Sequence, residues 1–336
     1  MNNLKFNQEK PIDLIAIGRL AIDLNANEIN RPMEETITFT KYVGGSPANI
    51  AIGTAVLGHK AGFIGRVADD QFGRFIVSYL EEKDIDTSSI VIDQSGAKTG
   101  LAFTEIKSPT DCSILMYREN AVDLKLEPKD IKEEYIKQAK AILISGTALA
   151  QSPSREAVFL ALDFARKHDV VVFFDIDYRP YTWKSTDETS VYYNLAAEKC
   201  DVIIGTREEF DMMESLTNPG NDNDFVTAKK WFDYNAKIVV IKHGKEGSIS
   251  YTKEGESFKG RSFPAKVVKT FGAGDSYASA FIYGLMEGWN VDQSMEFGGA
   301  SASIVISRHS CSDAMPTAEE VKTYIEKCKK EEGQSV

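Results

Sequence analysis

Residues 269–285 read KTFGAGDSYASAFIYGL. Three small residues, Gly272, Ala273 and Gly274, stand directly before a carboxylate, Asp275, and an apolar pattern of helical period follows. A Gly-Ala-Gly turn leaves successive backbone N–H groups uncovered, and a helix beginning there adds its own orphan donors in the same direction. That arrangement is an anion hole. A carboxylate at the helix start is poorly placed merely to bind phosphate, since like charges repel. It suits a group that takes a proton from a hydroxyl while the N–H groups stabilise charge on a phosphoryl group in transfer. The plainer alternative is a tight strand-to-helix connection with Asp275 as a helix cap. The chain has neither GxxxxGK[ST] nor a GxGxxG fingerprint after its first strand, so phosphate chemistry here is of neither the P-loop nor the Rossmann kind.

Working outward, short apolar runs alternate with longer helical patterns. The runs DLIAIG (13–18), KAGFIG (60–65), KAILISG (140–146), VVVFFDID (170–177), CDVIIG (200–205) and KIVVIK (237–242) are mostly continuous and rich in Val and Ile, as strands buried on both faces should be. PANIAIGTAVLG, RFIVSYLEEKD, SREAVFLALDFARKH and TREEFDMMESL read as helices between them. The alternation predicts an α/β fold, a mainly parallel central sheet covered by helices. ETITFTKYVGG (35–45), and KTGLAFTEI joined through KSPTD to CSILMYREN (98–120), alternate polar and apolar residues like half-exposed antiparallel strands. They predict a small β-sheet lid. With no repeat or low-complexity linker, the expectation is a single domain over 1–330, with lid strands inserted at about 20–45 and 98–120. TNPGNDNDF (217–225) reads as a surface loop, and the C-terminal segment, 331–336 above all, as a frayed tail.

A chain of 336 residues with 43% hydrophobic content can bury a sizeable core. Its net charge of -11, with no basic block, argues against nucleic acid as a partner. An acidic protein that binds anions must gather local cations for them. The N-terminal residues run from polar to apolar in the wrong order for a signal peptide, and no apolar run reaches the roughly 18 residues of a membrane span. Cys112, Cys200, Cys311 and Cys328 form no CxxC pair and the histidines lack metal-ligand spacing. The expectation is a reduced, soluble, cytoplasmic protein with no membrane partner.

VGGSPANIAIGTAVLG (43–58) followed by FIGRVADDQFG (63–73) resembles the first signature of the ribokinase-like, or PfkB, carbohydrate kinases, and TFGAGD (270–275) resembles the second. The resemblance covers nearly the whole chain. It implies a ribokinase-like three-layer sandwich with a β-lid, and ATP-dependent phosphorylation of a sugar-like hydroxyl. By it, Asp275 is the catalytic base and the N–H groups of Gly272, Ala273 and Gly274 form the anion hole. Asp23, Gly44, Gly45 and Asn49 match the substrate groove, where glycines let the backbone approach a polyol and Asp and Asn bond its hydroxyls. Lys242, Gly244 and Gly247 in IKHGKEGS match the nucleotide site, and GGASASIVISRHS (298–310) the segment that closes the adenine pocket. ATP and Mg2+ are the implied cofactors, with a monovalent cation and a homodimer formed through the lid left open.

Two positions depart from the family. Lys269 stands where Asp is usual, and Thr206 where Asn is usual ahead of a retained Glu209. Glu209 is expected to meet the metal through water, the Thr206 hydroxyl to bond a metal-bound water, and Lys269 to offer positive charge to phosphate or substrate. Arg118 in MYREN and Arg179 in DIDYRPYTW resemble cations that hold acidic sugars in 2-keto-3-deoxygluconate kinases, and a planar guanidinium suits a carboxylate. Within the family, the chain as a whole is similar to bacterial kinases of myo-inositol catabolism that act on the 6-hydroxyl of 5-dehydro-2-deoxy-D-gluconate. The alternatives are 2-keto-3-deoxygluconate or fructose as substrate, or a non-catalytic sensor on the same scaffold.

Overall fold

The computed structural model describes residues 4–109 and 111–333. Nine strands form the large sheet: β1 (Ile12–Ile17), β4 (Ala61–Ala68), β5 (Asp86–Asp93), β8 (Ala139–Ser145), β9 (Val171–Asp175), β10 (Val202–Thr206), β11 (Ile238–Lys242), β12 (Ser248–Thr252) and β13 (Ser257–Gly260). Their order is β13-β12-β11-β10-β9-β8-β1-β4-β5. From β11 to β5 every pairing is parallel; β12 and β13 add an antiparallel edge. All six expected strands lie in the parallel part. The three others, β5, β12 and β13, are more polar and half-exposed, which hid them from a search for continuous apolar runs.

The strand period of two explains the layers. Leu14, Ala16, Leu143, Phe173, Ile204 and Val240 enter the core on one face, packed with helices Ser46–Val56 and Ala273–Met286. Their neighbours Ile15, Ile17, Ile144, Phe174, Ile203 and Ile241 enter the other, with helices Ser154–Lys167 and Thr186–Ala197. Parallel strands require such cover on both sides.

A second sheet of order β3-β2-β6-β7 comprises β2 (Ala21–Ala26), β3 (Phe39–Gly44), β6 (Gly100–Ser108) and β7 (Asp111–Tyr117). Its outer pairings are antiparallel, but the central one, β2 with β6, is parallel. That departs from the expectation of antiparallel strands throughout. The expected strand at 35–45 begins later, because a 3-10 turn at Met33–Glu35 precedes β3. His309, just beyond helix Val291–Ile306, ties this sheet down: its Nε2 bonds the Ala26 carbonyl at 2.7 Å, and the Asn25 side-chain amide donates to the His309 carbonyl at 2.8 Å.

One further expectation is corrected. Asp224 and Phe225, at the end of the expected loop, already belong to helix Asp224–Phe232, whose start is capped by Asn223. The C-terminal segment is helical at 331–333. Helix Ala318–Gly333 continues through it, because Val321 and Cys328 bury one face and Glu332 pairs with Arg261 at 2.7 Å. Residues 334–336 lie outside the described residues. Among the described residues no helix is long and apolar enough to cross a membrane.

Candidate active site

Because β1, β8, β9, β10 and β11 run parallel, their C-terminal ends share one edge, the usual place for ligands in such sheets. Each end delivers polar groups: Arg19 after β1, Ser145 and Thr147 at and after β8, Asp175 and Asp177 from β9, Thr206 from β10 and Lys242 from β11. Lys242 sits beside Gly274, so the start of helix Ala273–Met286 lies at the same edge.

Asp275 lies in the first turn of that helix. Gly272 caps it at φ 83°, a left-handed conformation that glycine adopts without penalty, and a Cβ there would lie 2.6 Å from Sγ of Cys311. The Asn49 amide, 226 residues away in sequence, donates to Oδ2 of Asp275 at 2.7 Å. Burial raises the pKa of Asp275, and the nearby Asp177 raises it further; Asn49, Arg179 and Ser46 oppose this. Oδ1 of Asn49 is buried with no partner among the described residues, an acceptor available to a hydroxyl of a bound ligand.

Asp23 packs over Gly44 so closely that a Cβ on Gly44 would lie 2.0 Å from its Oδ1. Burial pushes the Asp23 carboxyl up to about 6, and Asp275 adds to this against the pull of Arg19 and Lys269. Gly45 follows as the cap of helix Ser46–Val56. Asp23, Gly44, Gly45 and Asn49 therefore gather beside Asp275, the grouping expected of the substrate groove.

Arg179 forms an ion pair with Asp177 at 2.7 Å, and that carboxylate above all raises its pKa. Asp177 has the uncommon non-glycine φ of 39°, held by bonds to Ser145 and Thr147 at 3.0 and 3.3 Å. Arg118 is buried against Asp123, yet its Nε and Nη1 have no partner among the described residues. A third guanidinium, Arg19, is equally buried with Nε unpartnered; burial lowers its pKa, but Asp177, Tyr181 and Asp123 outweigh this and raise it. Sequence reading missed Arg19, although it stands in the same GRLAID stretch as Asp23. The only signal was a charged residue directly after a buried strand.

On the other side of Asp275, Lys242 stands 3.9 Å from Asp175 and is mostly buried. Asp175 also accepts from Ser46 at 2.7 Å; burial raises its pKa, as do Asp177, Glu209 and Asp275, while Lys242 lowers it. Gly244 and Gly247 bracket the turn that follows Lys242. Glu209 and Thr206 form a capping box at the start of helix Arg207–Glu214, and the second Glu209 oxygen accepts from the Tyr178 N–H at 3.0 Å. Among the described residues no three ligating side chains converge on one point. The oxygen chemistry of Asp175 and Glu209 fits Mg2+, which takes few protein carboxylates and completes its shell with phosphates and water.

Lys269 does not face the cleft: its Nζ is fully buried and donates to the carbonyls of Phe271 and Val305 at 2.7 and 3.4 Å. Residues 298–306 are the last turns of helix Val291–Ile306, packed through Gly298 against Tyr277 and through Ser301 against Ser276.

Over residues 12–318 the chain matches the pfkB family carbohydrate kinase. It is 72% identical over 329 residues to the 5-dehydro-2-deoxygluconokinase of Geobacillus thermodenitrificans, covering 98% of this chain and 97% of that protein. Its fold matches a putative ribokinase II from E. coli in complex with ATP and Mg2+, with a TM-score of 0.83 at 22% identity over 94% of this chain and 99% of that one. It also matches a double mutant of Vibrio cholerae fructokinase bound to fructose, ADP and potassium, with a TM-score of 0.80 at 20% identity over 94% and 98% of the two chains. At such identities the structural likeness is one of fold.

Proposed function

Because this chain belongs to the pfkB family of carbohydrate kinases, we propose that it transfers the γ-phosphoryl group of ATP to the terminal 6-hydroxyl of 5-dehydro-2-deoxy-D-gluconate, a step of myo-inositol catabolism. The observation that carries the choice of an acid sugar is the buried Arg19, whose Nε has no partner among the described residues and whose charge acts on Asp23, together with Arg179, whose charge acts on Asp275. Arg19 Nε and Arg118 Nε and Nη1 remain unpartnered donors, which a carboxylate of the sugar satisfies better than a neutral hydroxyl.

Asp275 is the base. Its raised pKa makes the carboxylate a better proton acceptor than an exposed aspartate, and Asn49 holds it in one orientation. Asp23 and the free Oδ1 of Asn49 take sugar hydroxyls, and Gly44 and Gly45 let the backbone come close. Arg118 and Arg179, joined by Arg19, hold the carboxylate end. As the hydroxyl attacks in line, its proton passes to Asp275, and the N–H groups of Gly272, Ala273 and Gly274 receive the negative charge of the phosphoryl group. Lys242, beside Gly274, is placed to contact phosphate, and Gly244 and Gly247 open the turn to the nucleotide. Asp175 and Glu209 would hold Mg2+, Glu209 through water, and the ion supplies charge neutralisation between the phosphates. A monovalent cation has a competitor in this chain, the buried ammonium of Lys269.

We read residues 1–330 as one kinase domain whose four-stranded sheet is its lid. The lid carries an apolar hollow lined by Phe39, Leu101, Phe103, Leu115 and Tyr117, which we assign to a second copy of the chain. The four unpaired thiols agree with a cytoplasmic setting.

The test is ADP release with Mg2+ and ATP across 5-dehydro-2-deoxygluconate, 2-keto-3-deoxygluconate, gluconate, fructose and ribose. A kcat/KM preference for the first is expected. A preference for a neutral sugar would sink the acid-sugar assignment, and no turnover on any would favour a sensor.

A further inference from the structure

Lys269 is the one fully buried ammonium among the described residues, and it forms no ion pair with a carboxylate there. Taking an ammonium out of water is costly unless oxygen ligands replace its hydration. Here the ligands are main-chain carbonyls, Phe271 at 2.7 Å and Val305 at 3.4 Å, with the Phe271 ring centroid 5.1 Å away. The Sγ of Cys311, seated against Gly272, fills the space beside it. Burial lowers the lysine's pKa, while Cys311, Asp275 and Asp23 favour its charged form.

The placement of those carbonyls matters. Phe271 is the residue immediately before the Gly272–Gly274 turn, and Val305 lies in the last turn of helix Val291–Ile306. The backbone makes the same connection, since the N–H groups of Val268 and Lys269 both bond the Ile306 carbonyl, at 2.8 and 3.2 Å. Side chain and main chain together pin the approach to the anion hole onto a neighbouring helix. Main-chain carbonyls gathered around a dehydrated positive charge are also the ligands by which proteins hold potassium. In this chain the charge is covalently attached.

We propose that Lys269 is a positioning residue for phosphoryl transfer: its ammonium acts as a tethered monovalent cation that orders the anion-hole turn, so that the enzyme needs no potassium or sodium. The proposal rests on the kinase reading above. It makes Lys269 neither a base nor a phosphate ligand, since its Nζ faces carbonyls rather than the cleft. Its effect belongs on kcat, through the geometry of the N–H donors, more than on KM.

The test uses the full chain freed of alkali cations, with tetramethylammonium as counterion and Mg2+ATP as its Tris salt. ADP release from the acid sugar is measured with and without potassium, and the thermal midpoint of the ligand-free protein is measured in parallel. The wild type is expected to change kcat by less than about two-fold on adding potassium, and its midpoint to move no more than with tetramethylammonium. Lys269→Met, which keeps the stem and deletes the charge, is expected to lose about a hundred-fold in kcat with little change in KM. Lys269→Gly, which opens the cradle, is expected to regain at least about ten-fold of lost kcat with potassium or ammonium, but not with tetramethylammonium. A wild type activated about ten-fold by potassium, or a Lys269→Met protein of normal kcat, overturns the proposal. If the variants do not fold, the wild-type cation arm decides alone. Absence of turnover on any sugar defeats the kinase reading instead, and a potassium-induced rise in the ligand-free midpoint of the wild type counts against the tethered cation independently of catalysis.

Discussion

The side-chain amide of Asn49 donates a 2.7 Å hydrogen bond to Oδ2 of Asp275, joining helix Ser46–Val56 to helix Ala273–Met286. The bond aims the assigned base and leaves Asn49 Oδ1 open. Asp275→Asn is therefore expected to lower kcat by at least about a thousand-fold while ATP binding, measured by calorimetry, stays close to wild type. Near-normal turnover in that variant removes Asp275 from the role of base.

The same neighbours set the pH dependence. Asp275 must be ionised to accept a proton, so kcat/KM falls as pH drops through its pKa, which burial and Asp177 hold above the ordinary carboxylate value. Removing the Asn49 amide, in Asn49→Leu, takes away a bond that favours the ionised form and should move the acidic limb to higher pH. Asp177→Asn removes a like charge and should move it to lower pH. Opposite displacements in the two pH–rate profiles are the result to look for; displacement in one direction for both contradicts this electrostatic account.

Asp23 has a cost in the ligand-free protein. Its folded pKa of about 6 lies above its ordinary value of 3.8, so the folded state holds a proton that the unfolded chain releases between those values. Stability from this group is present at the acidic end and lost as pH rises through that window. Asp23→Asn should therefore raise the thermal midpoint at neutral pH, and the gain should shrink toward pH 4. The same variant should bind the sugar more weakly, raising KM. A gain independent of pH would place its origin elsewhere.

The guanidinium groups should divide substrates by charge. Arg19→Ala and Arg118→Ala are each expected to raise KM for the acid sugar by about ten- to a hundred-fold, the worth of a hydrogen bond to a charged group, and to leave any residual fructose phosphorylation nearly unchanged. Equal losses on both sugars would show that the arginines serve the lid's structure and not the carboxylate.

The apolar hollow on the four-stranded sheet bears on assembly. Leu115 and Tyr117 are 50% and 61% exposed beside Phe103, a surface that water covers poorly. Leu115→Asp should convert a dimer to a monomer by light scattering. A wild type that is monomeric at micromolar concentration removes the assignment.

Much of this molecule was legible because it is written locally. Continuous Val and Ile runs marked the parallel strands, Gly272–Gly274 before Asp275 marked the start of helix Ala273–Met286, and GGSPAN marked the start of helix Ser46–Val56. Period, turn chemistry and small-residue spacing act over a few neighbouring positions and survive without any knowledge of the fold. The edge strands β5, β12 and β13 stayed hidden because half-exposed strands mix polar and apolar residues without a clean signal.

Tertiary structure decided what depends on distance through space. Only the parallel sheet brings Arg19, Asp177, Lys242 and Asp275, from four separate segments, to one edge, where burial and the charge of Asp177 raise the pKa of Asp275. Only packing turns Lys269 away from the cleft and into the carbonyls of Phe271 and Val305, although its place in the chain suggested a cation facing phosphate. A side chain's direction and its charge state follow from which groups surround it after folding, and those groups lie up to hundreds of residues away in sequence.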